Sequence, residues 1–345
     1  MRVLFISGAN GADYQCDMLF HGLRQIEDVE VIDFNRLWYM YEHEFLSEAN
    51  QKQDIYGKGF SLYGLLGRDD WVDREDIALK IKLLHFDFII YGNVCRCKMM
   101  IDLVLFYYPP WRIIFIDGED HQRIIYILLG RGLYFKRELT IWRKNVQPIH
   151  FAFPAGNIAR RIDKTKIMAF SDPRDRNTYI YDTQEDYYRD YGKSLFAVTI
   201  KKAGWDCLRH YEIIANYCVP LFLDIEHCPM ATLAWLPKFQ IYQVVKQFES
   251  RGPKYFETED GRSYWHRLMD EIHQVFVERA TTVALAQSVL NTARQIRLSR
   301  SPSVIFPVVL PERLRNTWFT QRSRISSRLR WYSRKMSKVL PSGGG

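Results

Sequence analysis

The chain has 345 residues, of which 47% are hydrophobic, 26% charged and 15% aromatic, the balance of a folded globular protein and not of a disordered one. That length accommodates two domains, each able to bury its own core. The net charge of +8 is uneven: Arg313 to Lys338 holds nine Lys or Arg and no acid, so the body is balanced and the tail is basic.

No run reaches the roughly 18 to 20 apolar residues that a membrane span requires, and the chain enters directly as a strand, so a cytoplasmic protein is expected. The six cysteines make no dense disulfide framework, and Cys95-x-Cys97 fits neither a zinc knuckle nor a thioredoxin-like pair. All are expected as thiols.

Arg2 to Ser7 reads as a strand, Gly8-Ala9-Asn10-Gly11 as a turn, and the following stretch as a helix with Met18, Leu19, Gly22, Leu23 and Ile26 on one side. Val29 to Phe34 is the second strand of a Rossmann-like start. Asn10 and Asp13 stand where a G-x-G-x-x-G fingerprint has its later glycines, so no dinucleotide site is expected here. Residues 36–70 are rich in rings (Trp38, Tyr39, Tyr41, Phe45, Tyr56, Phe60, Tyr63), which either stack on sugars or fill a local core; the core is the plainer reading. A helix from Asp73 to Leu84, a strand from Phe86 to Tyr91, a helix over 98–107 and a strand from Arg112 to Asp117 continue a parallel α/β layer.

Asp117-Gly118-Glu119-Asp120-His121 follows the last of these strands, at the end where open α/β sheets place ligands. Transfer to a hydroxyl needs a base, and Asp120 is the choice, with Glu119 or His121 as substitutes; a polar turn capping the next helix is the alternative. Two apolar runs follow, Leu133 to Arg137 and Ile149 to Phe153, and Pro154-Ala155-Gly156-Asn157 marks a domain boundary. A strand at Lys166 to Phe170 opens the second domain. The loop after it carries Arg174 and Arg176, either of which can neutralise a diphosphate, and Tyr179 to Tyr191 reads as a helix.

The stretch from Gly192 to Pro229 is a βαβ unit: strand Ser194 to Thr199, a turn with Lys201, Lys202 and Gly204, a helix from Trp205 to Tyr217, and strand Val219 to Leu223. Free N–H groups and the positive dipole end at such a helix start suit a phosphate, and the lysines add charge. Arg209 and Glu212 share a helix face; the arginine suits a diphosphate and the glutamate a ribose diol, unless they are an ordinary surface pair.

These residues carry a resemblance. Arg209, Glu212, Ala215, Asn216, Cys218, Val219 and Pro220, then Asp224 and Leu236-Pro237-Lys238, resemble the nucleotide-sugar-binding segment of exostosin-like and related GT-B glycosyltransferases over roughly 50 residues. Many retaining members carry a Glu eight positions before the one resembling Glu212, where this chain has Gly204. The resemblance implies two Rossmann-like domains facing a cleft, acceptor on the first (1–155) and nucleotide sugar on the second (160–300), with no cofactor. Lys201, Lys202, Gly204, Arg209, Glu212 and Arg174 would bind the donor. Asp117 and Glu119 match a D-x-D metal pair only loosely, and the resemblance argues against an essential metal.

After Pro229, Thr232 to Leu236 is a short helix stopped by Pro237, and Tyr264 to Phe276 and Thr281 to Ile296 are helices of a closing bundle. Ile325, Leu329, Tyr332, Met336 and Val339 form one apolar stripe on the basic helix of the tail (312–340), the pattern of a helix lying on an anionic membrane surface. Packing on the chain's own acidic face and binding of nucleic acid are its rivals, the latter not favoured. The expected function is transfer of a sugar from a nucleotide sugar to a glycan or lipid-linked glycan at the inner membrane face, as in bacterial surface polysaccharide synthesis. The alternatives are a non-catalytic nucleotide- or sugar-binding protein and a nucleic-acid-binding protein led by its tail.

Overall fold

The computed structural model describes residues 1–8, 11–47, 55, 59–159 and 181–299. The basic segment 312–340, the strand expected at Lys166 to Phe170, and Arg174 and Arg176 lie outside them.

Strands β1 (Arg2–Ile6), β2 (Glu30–Asp33), β3 (Phe88–Tyr91), β4 (Ile113–Asp117), β5 (Leu133–Lys136) and β6 (Val146–Pro148) form one sheet in the order β2-β1-β3-β4-β5-β6. Every pairing is parallel, with Val3 opposite both Val31 and Phe88, Ile90 opposite Ile114, and Phe115 opposite Tyr134. Strands buried on both faces read as unbroken apolar runs, which is why RVLFI, FIIY and IIFID were legible. Their side chains divide by parity. Val3, Phe5, Ile90, Ile114 and Ile116 enter one core, while Leu4, Ile6, Ile89, Ile113 and Phe115 enter the other.

Helices α1 (Tyr14–Arg24), α2 (Glu42–Ser47), α3 (Ile77–Lys82) and α4 (Ile101–Tyr107) connect the first four strands. The chain turns from β1 to β2 on one side and to β3 on the other, so the switch point lies between β1 and β3. Tyr39, Tyr41, Phe45 and Tyr63 are buried, which settles those rings as core; Tyr56 lies outside the described residues.

Beyond α5 (Gln184–Lys193), β7 (Phe196–Thr199), α6 (Leu208–Ala215) and β8 (Val219–Phe222) form the expected βαβ unit, β7 and β8 pairing in parallel from Phe196 opposite Val219 to Thr199 opposite Phe222. The helix is shorter than expected at both ends. Trp205 and Asp206 belong to the turn, where the Asp206 backbone is held by Glu138 and Arg137, and Tyr217 takes a left-handed φ of 52° that ends the helix after Asn216.

The apolar run Ile149 to Phe153 is mostly buried without forming a strand: the Phe151 N–H donates to Asp206 Oδ2 and the Phe153 N–H to the Ala280 carbonyl, so these groups serve no long ladder. One expectation needs correction. Pro237 does not stop a helix but precedes one, α7 (Lys238–Arg251), whose Ile241, Val244, Val245 and Phe248 are buried.

The chain closes with α8 (Glu259–Arg279) and α9 (Thr282–Ser299). α9 returns to the first sheet and packs along α1, so the core on that face runs without a break from Phe5 and Leu19 through Tyr211 and Phe222 to Ala286. The contact is close at Gly22, where an added Cβ would lie 1.8 Å from the Thr282 carbonyl oxygen. Gly22→Ala therefore forces the two helices apart and is expected to lower stability by about 3 kcal/mol in urea unfolding, near the upper end of ordinary overpacking. Gly156→Ala, where an added Cβ meets nothing within 4 Å, is the control and is expected to leave stability unchanged.

Candidate functional site

The C-terminal ends of β1, β3, β4 and β5 converge on one polar edge. At the switch point Asp13, the N-cap of α1, accepts from Asn93 Nδ2 at 2.6 Å and pairs with Arg96 at 3.2 Å. Asn93 and Arg96 also hold Glu119 Oε1, at 3.0 and 2.6 Å. Burial alone would raise the Glu119 carboxyl, but these two donors outweigh it and hold the group below the usual range. Glu119 is thus a weaker base than an ordinary carboxylate.

The start of α1 carries a buried acid. Asp17 is fully buried, accepts from Tyr39 and Tyr63 hydroxyls at 3.2 and 3.0 Å and from the Asp13 N–H at 2.8 Å, and its carboxyl is pushed well up by burial and then by the Asp13 charge.

Asp117, at the end of β4, is committed to structure. Lys136 Nζ donates to Oδ1 at 2.6 Å and the Tyr134 hydroxyl to Oδ2 at 2.6 Å, all of it out of solvent. Asp117 and Glu119 therefore face different partners and do not form a pair. Among the described residues no three His, Cys, Asp or Glu side chains come together as metal ligands.

Arg137, the first residue after β5, binds this edge to the second half of the chain. Its guanidinium is buried, lies over the Phe151 ring with Cζ 4.3 Å from the centroid, and pairs with Asp120. Nε donates to the Gly118 carbonyl at 2.9 Å, and Nη1 donates to the Asp206 carbonyl at 2.7 Å and to Glu138 Oε1 at 3.3 Å. Glu138 Oε1 in turn accepts the Asp206 N–H at 2.9 Å. Gly204 lies directly against this group: an added Cβ would stand 2.6 Å from Glu138 Oε1 and 2.8 Å from Asp120 Oδ1. A side chain at 204 would have to displace these two carboxylates of the first half.

Asp120 thus meets the turn expected to bind the donor. Its side chain is half exposed and is oriented by Arg137. His121 is exposed beside it. On the other side of the turn, the Lys201 N–H is 3.2 Å from both Asp224 carboxylate oxygens, which ties the ends of β7 and β8 together, and its Nζ lies 5.5 Å from the Trp205 ring centroid. Lys202 is half-buried.

Arg209 and Glu212 are buried and are not a surface pair. Glu212 Oε1 accepts from the Ser61 hydroxyl at 2.6 Å and Oε2 from the Tyr187 hydroxyl at 2.7 Å, and Tyr188 donates to Ser61 at 2.6 Å. Burial raises the Glu212 carboxyl, against the pull of those two hydroxyls, Arg209 and Lys202. Ser61 comes from the first half, so α6 is bonded to it as the 204–206 turn is.

Sequence reading missed Asn93, Arg96, Arg137, Glu138 and Asp206. All but Asp206 fall within five residues of a strand's C-terminal end, the signal that did select Asp120.

Asp206 is buried, and its carboxyl is pushed up to about 7, chiefly by burial, with Arg137 and the Phe151 N–H opposing. An unfolded Asp ionises near 3.8, so between the two values the folded chain keeps a proton that the unfolded chain has released. Stability therefore falls as pH rises through that window and levels above it. Asp206→Asn retains an acceptor for the Phe151 N–H and removes this titration. Urea unfolding is expected to show the variant gaining on the wild type between about pH 4 and pH 7, by at most about 1.4 kcal/mol per pH unit. A constant difference would mean that Asp206 is ionised throughout.

No protein-family model matches the chain, and no curated protein matches its sequence.

Proposed function

We propose that the chain is a glycosyltransferase of GT-B type, with a nucleotide sugar bound at the Lys201–Glu212 turn and helix and an acceptor at the polar edge of the first sheet. The observation that carries this reading is the contact of Gly204 with Asp120 and Glu138, which sets the donor-like turn against a carboxylate at a strand end. In the proposed reaction the acceptor hydroxyl gives its proton to Asp120 as its oxygen bonds to the anomeric carbon, and the nucleoside diphosphate leaves with the electron pair of the broken bond. Arg209 and Lys202 would stabilise that departing charge, a role suited to fixed cations. Glu212 would turn to the ribose, exchanging the Ser61 or Tyr187 hydroxyl for a ribose hydroxyl.

The proposal extends to the acceptor and its location: a glycan or lipid-linked glycan at the cytoplasmic membrane face, reached with the basic tail on anionic lipid. Among the described residues no helix is long and apolar enough to cross a membrane. A second reading, a non-catalytic nucleotide- or sugar-binding protein, draws support from the pairing of Asp120 with Arg137 and from the two hydroxyls on Glu212.

A panel of UDP, GDP, CMP, TDP and their sugar conjugates distinguishes these. One nucleotide is expected to raise the melting temperature of the wild type by a few degrees, since saturation at a hundred times Kd adds about 2.7 kcal/mol. Lys202→Ala, at a half-buried position, is expected to lose most of that shift. Asp120→Asn is expected to keep the shift and to slow nucleoside diphosphate release by roughly 10²- to 10⁴-fold. A shift without release in the wild type favours the binding protein. No shift with any of these ligands removes the donor site.

A further inference from the structure

Two acids from neighbouring strands meet at the turn before α6. β4 and β5 pair in parallel with Asp117 opposite Lys136, so Asp120 and Glu138 leave the sheet at the same edge, just past the ends of their strands. Both reach Gly204. The point where a Cβ at 204 would stand is 2.6 Å from Glu138 Oε1, 3.0 Å from its Cδ and 2.8 Å from Asp120 Oδ1, so the Glu138 carboxyl faces the turn. The two acidic oxygens are no further apart than those two oxygen contacts laid end to end. Arg137 stands between them, with Nη2 on Asp120 and Nη1 on Glu138 Oε1.

The two carboxylates differ in what they can do. The Asp120 side chain is 50% exposed and that of Glu138 4%, so the first is open to an acceptor from solvent and the second sits back against the donor turn. Glu138 is also unequal in its two oxygens. Oε1 accepts from Arg137 Nη1 and from the Asp206 N–H, while no donor among the described residues reaches Oε2. Lys238, the other buried cation close to this group, has its Nζ on the Pro229, Met230 and Thr232 carbonyls. The third acid here, Asp206, turns its own carboxyl to the Phe151 N–H. Keeping an unpaired carboxylate oxygen on a side chain so far out of water is costly.

The proposed reaction brings that oxygen a partner. As the bond from the sugar to the nucleoside diphosphate breaks, positive charge develops on the anomeric carbon and the ring oxygen. The acceptor oxygen that gives its proton to Asp120 bonds to that carbon, so the charge appears beside Asp120 and therefore beside Glu138. A negative group fixed in advance in a water-poor place stabilises such a charge without reorganising.

We propose that Glu138 is a second catalytic carboxylate of this site, set against the ring of the transferred sugar to stabilise the positive charge that develops as the nucleoside diphosphate leaves. It forms no bond and takes no proton: the proton goes to Asp120, and the electron pair of the broken bond leaves with the diphosphate. The inference rests on the glycosyltransferase reading of the same site.

The test is initial-rate kinetics with the nucleotide sugars of the panel above, together with the melting shift that the nucleoside diphosphate causes, both read well below the melting temperatures. Glu138→Gln keeps an acceptor for Arg137 and the Asp206 N–H and removes the charge. It is expected to retain the melting shift and the donor KM and to lower kcat roughly 10²- to 10³-fold. Glu138→Asp keeps the charge one carbon further back and is expected to retain more of kcat than Glu138→Gln, although it loosens the turn more. The proposal alone is overturned if Glu138→Gln turns over as the wild type does, if Glu138→Asp is the slower of the two, or if KM rises and the melting shift is lost in step with kcat, which makes Glu138 a support of the turn only. Absence of nucleoside diphosphate release from the wild type overturns it together with the reading on which it rests.

Discussion

A buried guanidinium must be matched on every side, and Arg137 sets the terms for much of this molecule. Its donors reach the Gly118 and Asp206 carbonyls, Asp120 and Glu138, with the Phe151 ring beneath. The partners come from three segments, after β4, after β5 and before α6, and each must arrive at a fixed place or leave a charge uncompensated in a low-dielectric setting. The end of β4, the end of β5 and the turn that starts α6 are therefore positioned together. Gly204 sits in the same crowded place, and the helical turn is lost beside it at Trp205 and Asp206, where the Asp206 backbone is already engaged.

What the sequence made legible and what it concealed divide along the same line. The parallel sheet and the βαβ unit could be read because strands buried on both faces are apolar throughout, and because Leu208, Tyr211, Ile214 and Ala215 mark a helix by spacing alone. α7 was as periodic, yet Pro237 was taken for a terminator where its fixed φ and missing N–H suit a helix start. In the candidate site, the place of Asp120 after a strand is what makes it a candidate base. Arg137 and Glu138 followed a strand too, but Leu-Tyr-Phe-Lys-Arg-Glu looks like an apolar segment running out into a solvated turn. Only the tertiary pairing of Arg137 with Asp206, separated by 69 positions, shows that this turn is interior. Buried polar networks are assembled from long-range partners, and no local pattern announces them.

The two faces of the sheet also divide its labour. On one face, the core shared by Phe5, Tyr211 and Ala286 leaves no apolar seam between the first sheet and the βαβ unit. Any opening of the candidate site must then come from side chains and loops at the polar edge, such as the Ser61 and Tyr187 hydroxyls on Glu212, since parting the halves would expose the centre of the core. On the other face, short helices leave apolar groups outward.

The return of α9 to α1 has a consequence for how the chain is made. The helix that seals this face of the first sheet is α9, Thr282–Ser299, and it lies more than a hundred residues beyond that sheet's last strand, β6 at Val146–Pro148. A ribosome adding roughly 5 to 20 residues per second completes the strands of this sheet about seven to thirty seconds before it delivers their cover. During that interval the α1 side, with Gly22 still open, is an apolar surface that α9 has yet to cover.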